Sequence, residues 1–231
     1  MQIVETSSLG LRSARLVFRN RDSSVSVAIY PMVHVGEARF FSEAFDEAFA
    51  HDVVLVEGVR SSVGRNLTRS YRWIDFGRLG LVQQPKTPPQ ETVAARIITA
   101  DLSTAEFERE WRMVPFGYRA MFLLLAPLYG IYMRLLGSRE IIAKHLALED
   151  LASAEESLSW DPAMDGIHNA IIHARDRRLI ECLRAELESP LEARKRIAVI
   201  YGARHMRAVL RELTGRRFIC EEANWQTVFP L

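Results

Sequence analysis

Two histidines close short apolar runs in the same way. Ile29-Tyr30-Pro31-Met32-Val33-His34 and Ile200-Tyr201-Gly202-Ala203-Arg204-His205 carry Ile, Tyr and His at matching places, 171 positions apart. A third apolar run, Val53-Val54-Leu55-Val56, ends on Glu57, and a later one is followed by Glu221 and Glu222. Two imidazoles and a carboxylate that meet in space could hold a divalent metal, or serve as a base and an electrostatic partner without one. Spacing does not separate these two chemistries. The plainer alternative is a pair of unrelated histidines in turns after core strands.

The elements that would bring these groups together are legible as periodic patterns. Ala14 to Val33 reads as a hairpin: Leu16-Val17-Phe18, a turn-rich Asn20-Arg21-Asp22-Ser23-Ser24, then a strand from Val25 that ends at His34. Phe40, Phe41, Ala44, Phe45, Ala48 and Phe49 recur three and four apart, which predicts a helix. Val53 to Val56 is a β-branched run of the kind covered on both faces. The spacing predicts helices over Glu91–Ala100, Ser103–Trp111 with Ser103 as N-cap, Phe116–Leu136, Ser138–Ser157 and Asp165–Glu188. Ile197 to Tyr201 reads as a buried strand, Met206 to Leu213 as a helix, and Phe218 to Cys220 as a short strand. The expected fold is α/β: a central mixed sheet from two related strand-His-helix-strand halves, split by a largely helical insert. The halves are residues 1–60 and 166–231, with 61–165 between them, all in one domain. Open parallel sheets gather ligands at the carboxyl ends of their strands, where both histidines would stand.

Composition narrows the function classes. Of 231 residues, 48% are hydrophobic, enough for one substantial core, and 30 basic against 29 acidic side chains give no overall pull toward nucleic acid or anionic membrane. The cations are arginines apart from Lys86, Lys144 and Lys195, so the Arg65, Arg69 and Arg72 row reads as a solvated face, and no nucleic-acid partner is expected. Cys182 and Cys220 are too few for a disulfide framework, and no basic start with an apolar run follows Met1; a cytoplasmic protein with reduced thiols is expected. No phosphate-loop, dinucleotide, zincin or nucleophile-elbow motif occurs. Ala120 to Met133 carries no charge but includes Pro127 and Gly130 and is short for a bilayer span. Burial in the insert is the expectation for it, with peripheral membrane contact as the lesser alternative.

On several of these features the chain resembles the TraB/PrgY/GumN family, which includes the Tiki proteases and is related in structure to ChaN-like and erythromycin-esterase-like folds. The resemblance is carried by Tyr30 to Glu37, Asp52 to Glu57, Ala100-Asp101-Leu102-Ser103, Ala174-Arg175-Asp176 and Gly202-Ala203-Arg204-His205, in the family's order. His205 matches the second of the family's two G-x-x-H motifs and Glu57 its glutamate; Pro31 stands where the first motif has Gly, and Arg207 where a small residue is common. The resemblance implies a metal-dependent hydrolase or protease acting on a peptide or related acyl bond. His34, Glu57 and His205 would be metal ligands or the acid and base. Arg175 would hold charge on the substrate or orient Glu57, and Asp176 would orient a histidine or join a metal shell. By itself, Arg175 to Arg178 reads as a solvated helix face. Mn²⁺, Co²⁺ or Zn²⁺ suits such donors. The alternative on the same scaffold is a regulatory protein that captures a small peptide or a hydrophobic ligand such as haem without turnover. His168 and His173, five apart, are poorly spaced for joint ligation and read as structural, and Asp101 reads as an N-cap.

Overall fold

The structure is a computed structural model that describes residues 2–58, 74–149, 165–189 and 195–231. The Arg65, Arg69 and Arg72 row and residues 150–157 of the helix expected over Ser138–Ser157 lie outside the described residues; the described part of that stretch is helical only over Arg139–Leu146, and Leu148–Glu149 is a strand. In chain order the strands are β1 (Gln2–Ser7), β2 (Gly10–Arg19), β3 (Ser26–Met32), β4 (Val35–Gly36), β5 (Val53–Val56), β6 (Val82–Gln83), β7 (Arg96–Thr99), β8 (Leu148–Glu149), β9 (Arg196–Gly202) and β10 (Ile219–Phe229). The helices are α1 (Ala38–Phe49), α2 (Thr104–Met113), α3 (Phe116–Leu136), α4 (Arg139–Leu146), α5 (Asp165–His168), α6 (Ala174–Glu188) and α7 (Met206–Gly215).

The central sheet is mixed, in the order β7-β5-β9-β3-β2-β1-β8, with β10 on the other edge of β2. Strands β7, β5, β9 and β3 run parallel to one another, and β2 pairs antiparallel with β3, β1 and β10, as does β1 with β8. The parallel strands are apolar because both faces are covered: Val54, Leu55, Ile197, Ala198 and Val199 are fully buried. The hairpin is as the periodicity predicts, with Leu16 opposite Ile29. Helix α1 forms where the three-and-four spacing places it, burying Phe40, Phe41, Ala44 and Ala48. The two phenylalanines alone contribute roughly 3–6 kcal/mol.

Pro31 is tolerated in β3 for a geometric reason. Its carbonyl accepts the Ser13 hydroxyl at 2.7 Å, so that side of the residue faces β2, and its missing N–H faces the same way. The β2–β3 ladder has already ended at Leu16 and Ile29, so no ladder bond is lost there.

Several expectations are overturned. Arg96–Thr99 is a parallel strand on β5, not part of a helix, so the stretch between the halves supplies a strand of the central sheet. Its Ile-Ile-Thr run is β-branched and gains a full ladder at the sheet edge, which outweighs a weak helical spacing. The last strand is eleven residues long and pairs with β2, not with β9. Glu221 and Glu222 therefore lie toward the amino end of β3, away from His34, in ion pairs with Arg19 and Arg15. The two tyrosines of the matched runs are not equivalent: the ladder pairs Tyr30 with Ile200 and Pro31 with Tyr201. Because side chains alternate along a strand, Tyr30 and Tyr201 point to opposite faces. Tyr30 meets Arg15 and the His51 ring, and Tyr201 meets the Arg175 guanidinium and the His205 ring. Finally, α3 is helical as expected but not buried: Phe116, Leu124, Leu128 and Leu135 are each more than 60% exposed. Both cysteines are free.

Candidate functional site

Four adjacent parallel strands end on one rim of the sheet, and each delivers a polar group just past its last residue. Asp101 follows β7, Glu57 follows β5, His205 follows β9 through a single 3₁₀ turn, and His34 follows β3 in the turn into β4. A fifth and a sixth group come from above. The helix carrying them starts as α5, widens into a π-helical stretch at Asn169–His173, and continues as α6 from Ala174. Such an insertion resets which side of the following turn faces the sheet. Buried Ala174 lets that turn sit close, and Arg175 and Asp176 reach the rim from it.

Arg175 clamps two carboxylates. Its Nε and Nη2 donate to Oδ1 and Oδ2 of Asp101 at 2.9 and 2.7 Å, a fork-to-fork pair, and Nη2 also donates to Glu57 Oε1 at 2.5 Å and to the Tyr201 hydroxyl at 3.4 Å. Asp101, whose side chain is fully buried, is completed by the backbone N–H groups of Gly58 at 3.0 Å and Leu102 at 2.8 Å. It is therefore a buried counter-ion. The N-cap of α2 is Ser103, in a capping box with Glu106. The other oxygen of Glu57 accepts the Gly202 N–H at 2.9 Å. Gly202 is needed there for space, since a Cβ would lie 3.1 Å from Glu57 Oε2 and 3.4 Å from His205 Cδ2.

These contacts set the ionisation of the clamp. Burial is the largest single influence on Glu57 and works to raise its pKa, but the charges of Arg175, His205 and His34 and the Arg175 hydrogen bond together outweigh it, and the carboxyl is held at about 2. Burial works to lower the Arg175 pKa, and its bonds and charge contacts with Asp101, Glu57 and Tyr201 raise it instead. The Tyr201 hydroxyl is raised, first by burial and then by Asp101 and Glu57 against the lowering effect of Arg175, so it stays protonated.

His205 is 5% exposed, and its Nδ1 lies 2.7 Å from Asp176 Oδ1. Hydrogen bonding to a carboxylate assigns the proton to Nδ1 and leaves Nε2 as the basic nitrogen. The ring edge adjoining Nε2 is the one beside Gly202 and Glu57. His34 is exposed, its carbonyl accepts the Gln84 N–H at 2.9 Å, and the short β4–β6 ladder holds that turn. The rim therefore brings His34, Glu57, Arg175, Asp176 and His205 into one neighbourhood. His168 and His173 precede it on the same helix and form no part of the clamp.

Among the described residues, no three His, Cys, Asp or Glu side chains, His34, Glu57 and His205 included, are gathered closely enough to form a ligand cluster. The cation facing Glu57 is a guanidinium. Sequence reasoning missed Asp101, Tyr201 and Gly202 as site residues. For Asp101 a signal existed: it follows a β-branched run much as Glu57 does, and reading that run as a helix hid it. No family model, curated protein or solved structure matches the chain.

Proposed function

We propose that this protein is a hydrolase of the TraB type that cleaves a peptide or related acyl bond, with His205 as general base. The observation carrying this reading is the Asp176–His205 pair at 2.7 Å, placed at the carboxyl end of a parallel strand beside an ionised glutamate. Asp176 fixes the ring and stabilises the imidazolium that forms when Nε2 takes a proton from the attacking water. A carboxyl held at about 2 is too weakly basic to remove that proton itself, so the role of base passes from Glu57 to His205. Arg175 positions Glu57 and takes no part in binding substrate charge. His34, at the open side of the rim, returns a proton to the leaving group.

One observation favours the alternative, capture of a small peptide or hydrophobic ligand without turnover: both oxygens of Glu57 are already engaged by Arg175 and Gly202. Incubation with a diverse peptide mixture, read by mass spectrometry, separates the two. The hydrolase reading requires new termini with wild type and their loss with His205→Ala. Cleavage that survives His205→Ala removes the proposed base, and a peptide retained uncut by wild type establishes capture.

A further inference from the structure

We propose that helix α3 docks on anionic lipid bilayers, lying in the plane of the interface with its outer face among the acyl chains. Its 21 residues span about 31 Å. A narrow row faces the protein: Tyr118, Phe122, Ala126, Gly130 and Met133, spaced four, four, four and three apart, with Gly130 and Met133 buried and Tyr118 and Phe122 packed on Trp111, Val114 and Ile167. The rest of the circumference is apolar and open to solvent, including Phe116 at 77%, Leu124 at 69% and Leu128 at 61% exposure. A soluble helix ordinarily turns charges outward, and this one has only Arg119 and Arg134.

Two features choose the lipid surface as the occupant. The first is charge. From Trp111 to Ser138 the charged residues are Arg112, which pairs with Glu108 one turn earlier at 3.9 Å, Arg119 and Arg134, with no acidic side chain within that span. This belt complements anionic headgroups and would repel its own copy in a second molecule. Tyr129 and Tyr132, each more than 40% exposed with rings 6.4 Å apart, suit the headgroup level. The second is attachment. Before α3, Phe107 and Trp111 are buried; after it, the Gly137 carbonyl accepts an Arg78 N–H at 2.8 Å, and Ala143 is fully buried with its carbonyl on the Thr6 hydroxyl. Both ends of the helix are thus tied to one body, so it lies on a bilayer and does not thread through it.

The test is flotation of the full chain with vesicles of phosphatidylcholine alone or mixed with phosphatidylglycerol. Binding to the anionic vesicles should exceed binding to the neutral ones by at least about tenfold and weaken with added salt. The double substitution Leu124→Glu and Leu128→Glu, both at exposed positions, should abolish flotation while leaving the thermal melt unchanged; Arg134→Glu alone should reduce the anionic preference. Absence of flotation with either vesicle, equal flotation with both, or flotation indifferent to the double substitution would each overturn the proposal. So would a vesicle-free dimer, seen by sedimentation, that the double substitution dissociates.

Discussion

The Glu57 carboxylate ties the site to the stability of the fold, and the acid limb of the stability curve measures that tie. Its pKa is about 2 in the folded chain against an ordinary 4.5. With about 1.4 kcal/mol for each tenfold change, the gap is worth roughly 3 kcal/mol at neutral pH. A lowered folded pKa gives stability that is fully present above about 4.5 and is lost as the pH falls through about 2. Glu57→Gln keeps the shape and can still accept the Gly202 N–H, but it removes the charge opposite Arg175. Urea unfolding of wild type and variant should therefore differ by about 3 kcal/mol at pH 7 and by roughly half of that at pH 3. Asp101 still neutralises Arg175 in the variant, which keeps the loss at the low end for a broken buried pair, roughly 3–5 kcal/mol. A difference that stays constant between these pH values would show that packing, not charge, is what Glu57 contributes. No difference at pH 7 would dismantle the clamp as described.

The other site residues separate by readout. Asp176→Asn should lower kcat about 10²–10⁴-fold with an unchanged melt, because the amide no longer fixes the productive tautomer or stabilises the imidazolium; a loss confined to KM would refute that role. Asp101→Asn should destabilise the fold by about 3–5 kcal/mol, seen as a lower urea midpoint, since Arg175 then has one carboxylate in place of two. Gly202→Ala should cost about 1–3 kcal/mol by pressing a methyl group on Glu57 and His205, and activity should fall further than stability; a neutral substitution would contradict the close approach measured there. Prolonged chelation should leave both the melting temperature and turnover unchanged. Loss of either, restored by Mn²⁺, Co²⁺ or Zn²⁺, would return a metal to His34, Glu57 and His205.

Much of the frame was written locally. The 16–29 hairpin, α1 and β9 follow from periodicity, because each repeats its pattern long enough to name one face. The misreadings fall where local pattern and tertiary setting part. Arg96–Thr99 is four residues long, and its partner β5 lies about forty positions earlier, so only the assembled sheet makes it a strand. Strand β10 is mostly exposed and rich in polar residues; it is held by its ladder with β2, which no side-chain pattern announces. Helix α3 is apolar enough to predict burial, yet none of the described residues covers its outer face. The site was half legible: strand ends pointed to His34, Glu57 and His205, while Arg175 and Asp176 came only from the family resemblance, since their charged neighbours Arg177 and Arg178 look like an ordinary solvated face.

The clamp also explains why an arginine, and not one of the chain's rarer lysines, holds this rim. Glu57, Asp101 and Asp176 bring three carboxylates to adjacent strand ends and the helix above them, and their mutual repulsion would open the rim unless a cation lay among them. An ammonium could approach one of them as a point charge. The guanidinium meets both Asp101 oxygens with two parallel N–H bonds while the same Nη2 reaches Glu57, so one planar group joins β7, β5 and α6. One cation does not reach all three carboxylates, and the third, Asp176, is met instead by His205, whose Nδ1 lies 2.7 Å from Asp176 Oδ1. Removing Arg175 would free Glu57 from its place between the guanidinium and the Gly202 N–H. Placing Arg175 on Asp101 and Glu57 therefore closes the rim and leaves Asp176 to the imidazole.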